Sequence, residues 1–174
     1  AVGDWDALIG GDGKDMIFGQ VGNDVILGDN GVVVYDSAET KPVSAETTDL
    51  SIGNDDLIRG GEGNNQVAGG FGKDTISTLS GADRIVGDNG RFAYIDGILV
   101  SFETSDSVSS TGDDDYINAG EGANAVMGGN ASDEIHTGSV TDIVLGDNGE
   151  IFFEDSGEIV ETVRSTTPTL GDDD

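Results

Sequence analysis

The tetrapeptide Gly-Asp-Asn-Gly occurs at Gly28 to Gly31, Gly87 to Gly90 and Gly146 to Gly149, and both intervals are 59 residues. The register holds elsewhere without gaps. Gly53, Gly112 and Gly171 are also 59 apart, as are Ile17, Ile76 and Ile135, Asp15, Asp74 and Asp133, and Asp24, Asp83 and Asp142. A chain that repeats at a fixed period is built from units that stack and bury one another's faces, so repeat architectures are the folds open to it. The 174 residues hold almost three units. Residues 1–174 are expected to form a single repeat array, with units of approximately 1–50, 51–109 and 110–168. Residues 169–174 begin a further unit, as in a fragment of a longer protein.

A period of nine lies inside each unit. Gly60-Gly61-Glu62-Gly63-Asn64-Asn65-Gln66-Val67-Ala68 is followed by Gly69-Gly70-Phe71-Gly72-Lys73-Asp74-Thr75-Ile76-Ser77, and the neighbouring nonapeptides keep Asp56 with Ile58 and Asp83 with Ile85. Four nonapeptides, the tetrapeptide and a 19-residue insert make up one unit. The first half of the nonapeptide is rich in glycine, which supplies the positive-φ backbone of a tight turn. Its second half is a short strand whose sixth and eighth residues share a face, because strand side chains alternate. Asp74 and Ile76 therefore point the same way, while Lys73, Thr75 and Ser77 point out. A carboxylate at the mouth of each turn with an aliphatic behind it describes a coil of stacked turns, with an aliphatic ladder inside and acidic loops along both edges. The expected class is all-β.

Charge decides what else such a coil needs. Asp plus Glu number 35 against 7 Lys plus Arg, a formal net charge of −28. A nucleic-acid binder needs a basic footprint, and a polyanion is repelled by nucleic acid and by anionic membrane surfaces. No stretch approaches the length of a transmembrane helix, and no basic-then-apolar leader opens the sequence. With no cysteine, disulfides and thiolate metal sites are excluded. One aliphatic per nine residues is a thin core against the entropy of ordering nine backbones, and the stacked carboxylates repel. Something cationic must sit at the loops. Aspartate, asparagine and backbone carbonyls are hard oxygen donors, and six to eight of them suit Ca²⁺ better than the tighter octahedron of Mg²⁺. Zn²⁺ prefers Cys or His, and His136 is the only histidine.

Gly10-Gly11-Asp12-Gly13-Lys14-Asp15-Met16-Ile17-Phe18 and Gly69 to Ser77 resemble the Gly-Gly-x-Gly-x-Asp-x-aliphatic-x repeat of the RTX (repeats-in-toxin) family of hemolysin-type calcium-binding repeats. The resemblance implies a parallel β-roll, a β-solenoid with 18 residues per turn and several Ca²⁺ ions held between successive loops on each edge. It also implies a protein secreted by Gram-negative bacteria, the type I secretion route included, that folds on meeting extracellular calcium. Carried over by position, the implied ligands are Asp6, Asp15, Asp24, Asp56, Asn65, Asp74, Asp83, Asp115, Asn124, Asp133 and Asp142. Stacking at 18 residues pairs Asp6 with Asp24, Asp56 with Asp74, Asn65 with Asp83, Asp115 with Asp133, and Asn124 with Asp142. Asn65 and Asn124 depart from the pattern and are expected to weaken their sites without abolishing them. Ala131 and Val140 replace turn glycines, and Thr78-Leu79 replaces a leading glycine pair.

The inserts read as β-hairpins. In the second unit two apolar runs flank Asp96-Gly97, a strong hairpin signal. The third has Ile151-Phe152-Phe153, a turn at Asp155-Ser156-Gly157 and Ile159-Val160, and the first fits more loosely through Val32 to Tyr35 and Pro42-Val43. An isolated hairpin is marginal in water. The hairpins are therefore expected to cover Leu27, Val86 and Leu145, which alternation turns away from the coil. Gly-Asp-Asn-Gly is either a turn joining coil to hairpin or an extension of the calcium ladder through Asp29, Asp88 and Asp147.

No nucleophile elbow, phosphate loop or His-carboxylate cluster occurs, and every carboxylate pair is a repeat echo rather than one singular constellation. The chain is expected not to be an enzyme. His136 is read as a surface residue and Trp5 as a loop aromatic. The expected role is a calcium-binding structural or spacer module of a large secreted protein, at the cell surface or outside it. Contacts would be with calcium, neighbouring repeats or a cell surface, with no nucleic acid and no membrane insertion. The alternatives are an adhesion module (adhesin) recognising a surface partner through its hairpins, and the calcium-binding accessory region of a secreted toxin or hydrolase.

Overall fold

The computed structural model describes residues 5–38 and 40–167, and every regular element among them is a β-strand. Gly171 and residues 169–174 lie outside the described residues. The first unit supplies β1 (Ala7–Ile9), β2 (Met16–Phe18), β3 (Val25–Leu27), β4 (Gly31–Tyr35) and β5 (Pro42–Thr47). The second supplies β6 (Leu57–Glu62), β7 (Gln66–Ala68), β8 (Thr75–Ser80), β9 (Arg84–Val86), β10 (Gly90–Ile95) and β11 (Ile98–Thr104). The third supplies β12 (Tyr116–Asn118), β13 (Ala125–Gly129), β14 (Glu134–His136), β15 (Ile143–Asp147), β16 (Gly149–Phe153) and β17 (Val160–Ser165).

Three sheets result. Sheet A runs β1-β3-β7-β9-β13-β15 and sheet B runs β2-β6-β8-β12-β14, both parallel. Nonapeptide strands alternate between the two, so each turn of chain crosses from one sheet to the other. The eighth-position aliphatics stack in register: Ile17 on Ile58, Ile76 and Ile117 in sheet B, and Ile26 on Val67, Ile85 and Val126 in sheet A. Together they form one buried cluster between the sheets.

Sheet C is antiparallel, in the order β17-β16-β11-β10-β5-β4. It is made entirely of the three inserts. Asp96 and Gly97 both have positive φ, 53° and 81°, the backbone of a two-residue type I′ turn. The hairpins do more than cover the coil one by one: β5 pairs with β10 and β11 with β16, so all six strands share one ladder. Phe92, Phe102 and Phe153 stack at 5.9 and 6.2 Å between centroids. They pack with Leu27, Val86 and Met127 from sheet A into a second core. Leu27 and Val86 are fully buried and Leu145 half-buried against it, as the hairpin argument requires. Sheet A is thus buried on both faces, which is why its strands read as unbroken apolar runs such as Val25-Ile26-Leu27.

The repeat length has a geometric reason. The second and third units each contribute two strands to every sheet. At about 4.8 Å per strand the three sheets all advance by about 9.6 Å per unit. Four nonapeptides per hairpin is the ratio that keeps them in step.

Candidate calcium sites

The coil has two edges that differ. Turns from sheet B back to sheet A carry Asp6, Asp24, Asn65, Asp83, Asn124 and Asp142, and run without interruption. Turns from sheet A to sheet B carry Asp15, Asp56, Asp74, Asp115 and Asp133, and the hairpins leave and rejoin the coil inside them. The insert follows Gly28-Asp29 and ends before Gly53, so Gly28 and Asp56 belong to one turn although they are far apart in sequence.

On both edges the sixth-position side chain caps the turn next to it. Asp24, Asp74, Asp83, Asp133 and Asp142 accept through Oδ1 from the backbone N–H of Asp6, Asp56, Asn65, Asp115 and Asn124, at 2.7 to 2.9 Å. These are the five pairs expected at a spacing of 18. Four more pairs, spaced by 41, complete the ladders across the inserts. Asp56, Asn65, Asp115 and Asn124 accept from Asp15, Asp24, Asp74 and Asp83 at 2.7 to 3.1 Å. The spacing of 41 is 18 plus the tetrapeptide and the 19-residue insert.

The second carboxylate oxygen is the one left open. Oδ2 of Asp15, Asp24, Asp56, Asp74, Asp83 and Asp115 is buried and meets no hydrogen-bond donor. A buried ionised oxygen with no partner is costly. Each of these oxygens on the interrupted edge faces a carbonyl of the next turn. A Cβ added to Gly10, Gly28, Gly69 or Gly87 would overlap the carbonyl oxygen of Gly28, Gly69, Gly87 or Gly128, and would also crowd Oδ2 of Asp15, Asp56, Asp74 or Asp115. Those glycines leave room for oxygens to converge. Among the described residues no three acidic or imidazole side chains converge on one point, so a cation here would draw on carbonyls as well as carboxylates. That donor set fits Ca²⁺. Bound there, the ion would supply the positive charge that the paired carboxylates lack.

Charge within the ladder is strained in its absence. Burial first, then the neighbouring Asp56 and Asp29 carboxylates, push Asp74 up to about 8. Burial, then Asp88 and Asp74, drive Asp115 well above the carboxylate range. Asp56 is raised to about 6, mainly by burial. On the uninterrupted edge burial also raises Asp24 and Asp83. At Asp83 the Asn65 backbone N–H, then the Arg84 charge, oppose the rise.

The tetrapeptide aspartates stand apart from the ladders. Asp29 accepts through Oδ1 from the Asn54 N–H at 3.3 Å and through Oδ2 from the Phe71 N–H at 2.5 Å. Asp88 accepts in the same way from Asp113 at 3.2 Å and Asn130 at 2.5 Å. Each clasps the segment returning from a hairpin to the following turn, with both oxygens engaged. Gly53 and Gly112 pass so close that a Cβ on either would overlap the clasping carboxylate, which accounts for their recurrence at the 59-residue period. Asp147 is half-buried in β15 and pairs with Gly129 of β13. The last glycine of the tetrapeptide has a similar cause: a Cβ at Gly31 or Gly149 would overlap Leu27 or Leu145, where the hairpin starts against sheet A.

Two further sets of residues line the edges. Asn23, Asn64, Asp55 and Asp114, one position before the ladder, form an outer rank. Their Oδ1 atoms accept from the backbone N–H of Asn64, Ala82, Lys73 and Ser132 at 2.8 to 3.3 Å. Lys14 and Lys73 add ion pairs to Asp55 and Asp114 at 3.3 and 3.7 Å. The 59-residue spacing of Asp55 and Asp114 was the available signal. Asp106 completes a buried network with Asn89, whose amide donates to Asp106 at 3.0 Å and to the Leu50 and Thr111 carbonyls, while the buried Asn130 donates to the Val108 carbonyl at 3.0 Å and accepts from the Asn148 amide at 2.6 Å. His136 is exposed beside Glu134 and Tyr116, and Trp5 stacks on Tyr35 at 5.4 Å.

The family model of the RTX calcium-binding nonapeptide repeat matches residues 2–32, 59–91, 102–135 and 109–144, well over half of the chain. The chain belongs to the RTX calcium-binding repeat family. The matched segments contain all or part of every coil strand and most of the edge turns, while most of the first insert and the Asp56 turn fall between them. No curated protein and no solved structure matches the chain. Membership brings calcium binding with it.

Proposed function

We propose that this RTX chain is a non-catalytic structural module: a calcium-wound β-roll, or β-solenoid, that stiffens a large secreted protein. The three units of the array, near 1–50, 51–109 and 110–168, act as one continuous body through sheet C. The observation that carries the reading is the row of buried Oδ2 atoms facing carbonyls of the next turn. Without cations the loops repel and the balance shifts toward the expanded chain. With calcium the turns are neutralised and the folded state is favoured by mass action. The outer face of sheet C supports a spacer over an adhesion surface. Arg91 bridges Glu46 and Glu103 at 3.5 and 3.6 Å across three strands, with all three side chains near half-exposed, as on a solvated face.

Far-UV circular dichroism during a calcium titration tests this, with magnesium and chelator as controls. Strand signal should rise with calcium and not with equimolar magnesium. A strand signal already complete in chelator and indifferent to calcium would overturn the folding role.

A further inference from the structure

Asn65 and Asn124 occupy the same ladder position one unit apart, and both are buried. Their Oδ1 atoms accept the backbone N–H of Asp24 and Asp83 at 3.1 and 3.0 Å, as an aspartate Oδ1 would. That contact fixes the orientation of the amide, so Nδ2 must occupy the place of the open Oδ2. From there Asn65 donates to the Gly63 carbonyl at 3.2 Å. Asn124 donates to the carbonyls of Gly120 and Gly122 at 3.3 and 3.2 Å. The amide N–H groups thus take up loop carbonyls that stay open for a cation where the residue is aspartate. Around Gly60 the space is filled differently as well. A Cβ there would approach the Thr78 methyl and Asn65 Nδ2, where its counterparts on the other edge, and Gly19 beside Asp24 on this one, meet a carbonyl and a carboxylate. Next along this edge, the Arg84 guanidinium donates to the Asp83 and Ala123 carbonyls at 3.0 and 3.1 Å.

We infer that Asn65 and Asn124 are built-in replacements for calcium, closing their own loops with amide donors and confining the ions to the all-aspartate edge and to the open oxygen of Asp24. From Asp24 onward each step of the uninterrupted ladder contains one asparagine, so no two carboxylates face each other there. The interrupted edge, where a hairpin leaves the coil and the turn must be held by something other than continuous chain, keeps aspartate at every step. Calcium would therefore act on the side where the inserts are anchored. The expectation that the two asparagines only weaken otherwise ordinary sites is replaced by one in which those loops need no metal.

This rests on the calcium reading above, and the experiment separates the two. Bound calcium per chain is measured by equilibrium dialysis with atomic absorption, and thermal stability is measured in chelator, for the natural chain, Asn65→Asp and Asp74→Asn. Asn65→Asp should add at least one calcium per chain and lower the midpoint in chelator, since it opens an oxygen and removes a donor. Asp74→Asn should remove at least one calcium and raise the midpoint in chelator. Calcium binding by the natural chain with an unchanged count in Asn65→Asp overturns the inference and leaves the calcium reading intact. An unchanged count in Asp74→Asn also overturns it, because that edge would then not hold the ions. A natural chain that binds no calcium overturns both.

Discussion

Protons should stand in for calcium. In the metal-free fold burial raises Asp56 and Asp106 to about 6, Asp29 to about 7, Asp74 to about 8 and Asp88 to about 9, from 3.8 for the free side chain. Because these values are raised, the folded chain holds protons that the unfolded chain has released. The resulting stability is fully present below about pH 4 and is lost as pH climbs through the interval from about 6 to 9. Each proton of difference is worth about 1.4 kcal/mol per pH unit. The aspartates interact, so they do not titrate as independent groups. A net difference of only two protons still gives about 3 kcal/mol per pH unit, set against a total of about 5–15 kcal/mol for a typical domain. Asp55, held below the usual range by its Lys14 hydrogen bond, pulls the other way, but it is exposed and its effect is small.

The assay is circular dichroism and thermal melting of metal-stripped protein from pH 8.5 to 5.5, with sedimentation to verify that mass is constant. The series stops well above the sequence pI near 4.1, where loss of net charge favours association. Strand content and the melting midpoint should rise as pH falls, and the further gain on adding calcium should shrink in parallel. Metal-stripped protein equally folded at pH 8.5 and 5.5, or less folded at 5.5, refutes the reasoning.

Three further outcomes follow from packing and backbone. Ala131 stands in a turn-glycine position with φ of 72°, so Ala131→Gly should stabilise the chain by about 1 kcal/mol, read as a higher midpoint in saturating calcium; a lower midpoint contradicts it. Gly112→Ala drives a Cβ into the Asp88 carboxylate and should cost about 1–3 kcal/mol. The same change at Gly13, where a Cβ would meet nothing within 4 Å but φ is 127°, reads a backbone cost alone, whereas Gly112 has no positive φ and reads the clash alone. Phe102→Ala removes the middle ring of the stack joining sheet C to sheet A and should cost about 3–5 kcal/mol. It should leave the calcium count unchanged, because Phe102 touches no edge turn; a reduced count would tie the hairpins to the ion sites.

Much of the coil was legible because the nonapeptide states its own geometry. Glycine marks the turns, alternation places Asp74 and Ile76 on one face, and Asp96-Gly97 needs a left-handed turn. The continuity of the ladders was not legible, since the pairs Asp15–Asp56 and Asp74–Asp115 are separated by hairpins and sequence spacing sees only the 18-residue neighbours. The clasping role of Asp29 and Asp88 was equally hidden. Gly-Asp-Asn-Gly names a carboxylate but not the Phe71 or Asn130 N–H that arrives from a later turn.

From its sequence alone this chain was bound to be a repeating, all-β chain of calcium-binding motifs, because period, turn chemistry and charge are local properties repeated in register. Tertiary structure decided how the repeats meet. Three separate hairpins became one sheet because two strands per unit match the pitch of the coil, and the two edges acquired different chemistry because side-chain oxygens and amides meet carbonyls that only stacking brings within reach. An asparagine in a calcium motif reads as a weakened ligand in one dimension. In three dimensions its amide nitrogen lies where an ion would otherwise be needed.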